Sequence, residues 1–206
     1  MRELRIVAVL LILAVCAQAE TMVFYLNTPF VGNPSPTWTG PQSALVMSFT
    51  QTVANTVQLT LSTANLSSTE AIKAWYLNTN FQGALNISWS GGVQGTISPL
   101  ASNAYRADGT GGYFDLMFSS PTQSCCRFYG GMTSVYTLTG NGLTLQNFNI
   151  PASGSVFWGA AQVIGMPNGQ SAWVGTPEPS SYILLSTVTA VLGFALFRRR
   201  KLLNRV

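Results

Sequence analysis

Thr56-Val57-Gln58-Leu59-Thr60-Leu61 decides the fold, because every second residue is apolar and each residue between carries a hydroxyl or an amide. Side chains of an extended chain point alternately to opposite faces, so this hexapeptide has one face for a core and one for water. Ala84-Leu85-Asn86-Ile87-Ser88-Trp89 and Ser134-Val135-Tyr136-Thr137-Leu138-Thr139 repeat the pattern. Outward from these, Met22 to Leu26, Ala44 to Thr50, Ile72 to Leu77, Tyr113 to Phe118, Leu143 to Ile150 and Ser155 to Val163 read as further strands. Gly91-Gly92, Asp108-Gly109, Gly130-Gly131, Gly140-Asn141-Gly142 and Asn168-Gly169 punctuate them as turns, and Thr28 to Pro41 reads as a long loop. About nine or ten short strands so punctuated predict an all-β domain, an antiparallel β-sandwich of jelly-roll type. No amphipathic helix is expected before the C-terminal tail.

Composition agrees with a sheet protein that keeps water by hydroxyl and amide groups. Of the ten Lys and Arg, seven lie near the two ends; Glu20 to Gly175 keeps only Lys73, Arg106 and Arg127 against Glu20, Glu70, Asp108 and Asp115. The formal charge of +4 therefore belongs to the ends, and the near-neutral middle offers no electrostatic footprint for nucleic acid. That middle is long enough for one compact domain with its own core.

Both ends read as addresses. Arg2 and Arg5, the apolar run Ile6 to Val15, and Ala17-Gln18-Ala19 have the order of a secretory signal peptide over residues 1–19, with Ala17 and Ala19 at the cleavage positions. The apolar run is much shorter than the roughly 20 residues of a membrane span. Leu13-Ala14-Val15-Cys16 departs from a lipobox at Val15. At the other end, Pro177-Glu178-Pro179 precedes an uncharged apolar run, Tyr182 to Phe197, and then Arg198, Arg199, Arg200 and Lys201. A transmembrane helix over about 180–197 is predicted, and the four cations stop transfer and stay on the cytoplasmic side. Pro177 and Pro179 lack backbone donors and fix φ, which holds the segment extended, as a protease groove requires.

Thr176 to Val206, TPEPSSYILLSTVTAVLGFALFRRRKLLNRV, resembles the PEP-CTERM sorting tail of exported proteins of Gram-negative bacteria. The resemblance implies recognition by exosortase, a membrane-embedded transpeptidase-like enzyme that would process the tail near Pro177, Glu178 and Pro179. The middle is similar to a domain common among PEP-CTERM proteins, in the order SFTQTVANTVQLTLS, IKAWYLN, RADGTGGYFDLMFSSP, RFYGGMTSVYTLTG and SAWVGTPEPSS. Members often carry a histidine in the penultimate strand, where this chain has Ala160-Ala161-Gln162-Val163. The resemblance implies residence at the inner membrane during sorting, then at the cell surface or in the extracellular matrix, with exopolysaccharide as a partner.

The chain contains no histidine, which removes the commonest general base and transition-metal ligand and excludes Ser-His-Asp and Cys-His sites. Two carboxylates suffice for glycoside hydrolysis, but only Glu20, Glu70, Asp108 and Asp115 are on offer. Asp108 to Asp115 falls short of a calcium loop and reads as a hairpin whose turn Asp108 caps. No metal and no cofactor are expected, and no catalytic residue is assigned. Once Cys16 leaves with the signal, Cys125 and Cys126 have three states open to them: a vicinal disulfide in a turn, pairing between chains, or free thiols. Trp75 and Trp89 are assigned to the core, whereas Trp38 and Trp173, in loop-like surroundings, are the candidates for stacking on a sugar ring. Asn65-Leu66-Ser67 and Asn86-Ile87-Ser88 match the glycosylation sequon, which a Gram-negative host would leave unused. The sequence thus predicts a non-enzymatic exported protein, structural or adhesive, with a carbohydrate-binding module as the alternative and a secreted glycan hydrolase third.

Overall fold

Fourteen short strands follow one another in the computed structural model, which describes residues 19–31, 45–64, 66–108, 112–166 and 169–176. They are β1 (Thr21–Leu26), β2 (Thr28–Val31), β3 (Leu45–Val53), β4 (Thr56–Ser62), β5 (Ala71–Leu77), β6 (Asn86–Gly92) and β7 (Thr96–Ile97). Then come β8 (Tyr105–Arg106), β9 (Tyr113–Phe114), β10 (Leu116–Ser119), β11 (Phe128–Tyr129), β12 (Thr133–Thr139), β13 (Gly159–Ile164) and β14 (Ala172–Thr176). All pair antiparallel: one sheet has the order β1-β3-β4-β12-β6, a second has the order β2-β14-β13-β5-β10-β7 with β11 also on β5, and β8 and β9 pair only with each other. The domain is all-β and sandwich-like. The predicted signal residues 1–18, Trp38 and the tail 177–206 lie outside the described residues; Ala19 and Glu20 are exposed, and Glu20 O accepts from Gln51 N.

In the first sheet the alternation holds along β1, β4, β12 and most of β3. Phe24, Met47, Phe49, Leu59, Leu61, Tyr136 and Leu138 face inward and are buried. Register sets Thr21, Thr50, Gln58, Thr137 and Ser88 in one row across the outer face, and Val23, Ser48, Thr60 and Val135 in the next. None of the five strands contains a charged residue.

The second sheet meets it with Trp75, Leu77, Phe118, Ala161, Val163 and Val174. Phe118 on β10 packs on Tyr136 of β12 at 4.7 Å between ring centroids, joining the sheets. Unlike the first sheet, the second is covered on both faces. Ala74, Tyr76, Ala160 and Trp173 form a smaller cluster on its far side with Ala107, Phe114 and Ala152. Two irregularities set this up. The pairing of β5 with β13 skips Lys73, passing from Gln162↔Ala74 to Val163↔Ile72, so Lys73 is exposed and alternation resumes with Trp75 inward and Tyr76 outward. The β8–β9 hairpin then contributes Phe114 to the cover. Burial pushes the Tyr76 hydroxyl above the usual tyrosine pKa, and Asp108 acts in the same direction.

Several expectations require correction. Leu143 to Ile150 is not a strand; Leu145–Phe148 is a 3-10 helix. Its two buried residues, Leu145 and Phe148, are three apart, the spacing at which a 3-10 turn aligns side chains, and Asn147 Oδ1 accepts from Thr144 N at 2.8 Å to close it. Gly91-Gly92 is not a turn but the end of β6, where Gly92 takes φ +75 and a Cβ would run into the backbone of Thr133. Thr28–Val31, expected in a loop, is strand β2 on β14. Tyr113 to Phe118 divides at Asp115 into β9 and β10, and the strand expected from Ser155 begins at Gly159. Trp89 is 42% exposed rather than core. Its partner Tyr136 is buried, but β6 is the last strand of its sheet, so no further strand covers the indole.

Candidate functional site

β10 and β11 run in the same direction along β5, and Pro121 to Arg127 loops out between them without regular structure. Cys126 N donates to Gln123 O at 3.0 Å, Arg127 Nε to Thr122 O at 2.8 Å and the Tyr129 hydroxyl to Ser124 O at 3.1 Å. In that turn Cys125 and Cys126 are bridged to each other and exposed, one of the three states the sequence leaves open. Intact mass is therefore expected to rise by two hydrogens on reduction, with both cysteines alkylated only afterwards. Alkylation without reductant would refute the bridge.

The bridge borders an open hollow of about 360 Å³. Val93, Pro121 and Met132 supply apolar wall, and Gln94 and Arg127 supply the polar groups. Neighbouring strands hold each wall. Val93 is fixed by its own N–H to Thr133 O at 2.8 Å and by the Ser134 hydroxyl on Val93 O. Met132 is fixed by Thr63, which is fully buried; its Oγ1 donates to Tyr129 O at 2.6 Å and accepts from Met132 N at 3.1 Å. Gly130 permits this closeness, since a Cβ there would meet Leu66 O and Ser67 O. Residues 93–94, 121–127 and 132 are brought together by pairing across both sheets. Sequence reasoning found only the cysteines among them, because no local pattern links Val93 or Met132 to Arg127.

The carboxylates lie elsewhere. Asp115 is buried, and its Oδ1 accepts from Asn103 N at 2.8 Å while Oδ2 accepts from Thr79 N at 3.1 Å. Asp115 N in turn donates to Asn78 Oδ1 at 2.8 Å, and Asn78 Nδ2 donates to Pro151 O at 2.9 Å. This places Asp115 in a backbone-fastening role, with both oxygens turned to amides. Asp108 belongs to the β8–β9 hairpin, where the guanidinium of Arg106 lies 5.7 Å from the Tyr113 ring centroid. Among the described residues no group of three Cys, Asp or Glu side chains is placed to hold a metal ion.

Trp173 corrects the expectation of an exposed sugar platform: it is in β14, 4% exposed, 5.2 Å from the Tyr76 ring and 6.2 Å from that of Phe30. The segment looked loop-like because glycine follows so closely, but Gly175 makes room for Phe157, which a Cβ would strike. Among the described residues the exposed indole is that of Trp89. No protein-family profile, no curated protein and no solved structure matches this chain.

Proposed function

We propose that the protein is an exported surface or extracellular-matrix component, sorted by exosortase through Pro177-Glu178-Pro179 and displayed as a non-enzymatic structural or adhesive domain. One observation carries this reading: a Pro-Glu-Pro triplet, an apolar run and an Arg-rich end occur in that order at the C-terminus, behind a chain that opens with a secretory-type leader. An uncharged outer face on the first sheet supports a role in a hydrated exopolysaccharide rather than on nucleic acid. In this reading Arg198 to Lys201 hold the tail at the inner membrane until processing. The chain passes to and fro between the sheets at β1–β2, β4–β5, β5–β6 and β6–β7, which supports a jelly-roll-like order.

The test is C-terminal peptide mapping of the protein from its host, with and without the sorting enzyme. Loss of Tyr182 to Val206 only with the enzyme present is the expected result; a tail retained in both cases would overturn sorting and leave a membrane-anchored domain. Carbohydrate binding is the second reading, favoured by the open hollow beside Cys125 and by exposed Trp89. A hydrolase has less support, since Asp115 is committed to backbone amides.

A further inference from the structure

The hollow beside Cys125 and Cys126 combines two features that seldom occur together on this domain: an apolar wall and a cation. Lys73, Arg106 and Arg127 are the only cations between Glu20 and Gly175, and Arg127 is the one that lines the hollow. Its Nε is engaged by Thr122 O, which directs the guanidinium and leaves the two terminal nitrogens as a planar fork. A fork of that kind matches a carboxylate, donating to its two oxygens through two parallel hydrogen bonds. Around it, Val93, Pro121, Met132 and the bridged sulfurs present surface that neither donates nor accepts strongly. Such surface suits the C–H face of a pyranose ring, and Gln94 offers an amide to ring hydroxyls.

We infer that this hollow is a subsite for one uronate residue of an acidic polysaccharide. The carboxylate lies on Arg127 and the ring on the wall formed by Met132, Pro121 and the Cys125–Cys126 bridge. This inference rests on the exopolysaccharide reading above and adds the ligand class and its contact residues. Three properties select that ligand. A single cation serves one carboxylate per ring, whereas a polyphosphate chain needs a row of them. The hollow is open at the surface, so a polymer passes across it without threading an end. Its walls are pinned from behind by Thr63 and Ser134, so little ordering accompanies binding.

The experiment is calorimetric titration of the full-length chain in detergent with a galacturonate tetrasaccharide, its methyl ester and cellotetraose. Saturable binding of the acid form alone is expected, with affinity falling as salt rises. Arg127→Gln should weaken it roughly tenfold or more, the loss of one charged hydrogen-bonded contact. Met132→Glu should do the same by repulsion; Met132 is 38% exposed, so this variant keeps its fold. Thr60→Glu, on the outer face of the first sheet, should leave affinity unchanged. Equal binding of the methyl ester, no binding of the acid form, or acid-form binding that survives both Arg127→Gln and Met132→Glu would overturn the inference. A processed tail without uronate binding removes only the subsite, and uronate binding with an unprocessed tail removes only the sorting.

Discussion

Trp75→Ala should lower the unfolding free energy by about 3–5 kcal/mol, the cost of emptying a large aromatic site in a packed core. Trp75 is 1% exposed and sits on β5, with Phe118 of β10 and Ala161 of β13 as its neighbours across the strands. Its ring lies 5.8 Å from that of Phe128. A domain of this size has about 5–15 kcal/mol of stability in total, so the substitution removes a large share of it. Trp75→Phe should cost much less than alanine. The indole Nε1 is buried without an acceptor among the described residues, so phenylalanine loses volume but also relieves an unmet donor. Denaturant melts of the three proteins check both statements. A Trp75→Ala variant within about 1 kcal/mol of the parent would contradict the two-sheet core.

Asp115→Ala should be the second most damaging change, at about 1–3 kcal/mol, because it strands the buried amide of Thr79 and releases that of the exposed Asn103. Asn103 holds φ +52, a left-handed conformation that the bond from its N–H to the carboxylate helps retain. Asp115→Asn keeps one acceptor and turns an NH2 toward the other amide, so an intermediate loss is expected. Thermal melts distinguish this from catalysis: a structural carboxylate shows the loss in stability with no substrate present. Unchanged melting of Asp115→Ala would refute the fastening role.

How far the sequence revealed this structure varied with how local the determining interactions were. Thr56 to Leu61 and Ser134 to Thr139 were legible because alternation is set one residue at a time, and they pair in register along their whole length, Thr139↔Thr56 to Thr133↔Ser62. Trp89 was not legible, because its face is the predicted one but its strand is last in the sheet, a fact fixed by the order of distant strands. Trp173 failed through the second, outer cluster: a sheet covered on both faces buries residues of either parity, and alternation no longer reports exposure. The 3-10 helix at Leu145 depends on Gln51 Oε1 accepting from Leu145 N at 3.2 Å, a partner from another strand. The vicinal cysteines were visible as residues, yet the hollow around them was not, since its walls come from three separated segments.

The position of β14 has a mechanical consequence. It lies between β2 and β13, bonded on both edges, and its last residue, Thr176, directly precedes Pro177. Tension entering the domain at that end runs along the strand axis, so it loads the hydrogen bonds of two ladders in shear at once instead of peeling them singly. Trp173, wedged against Tyr76 and Phe30, resists the same slip through packing. The strand from which the tail departs is thus among the hardest in the domain to draw out.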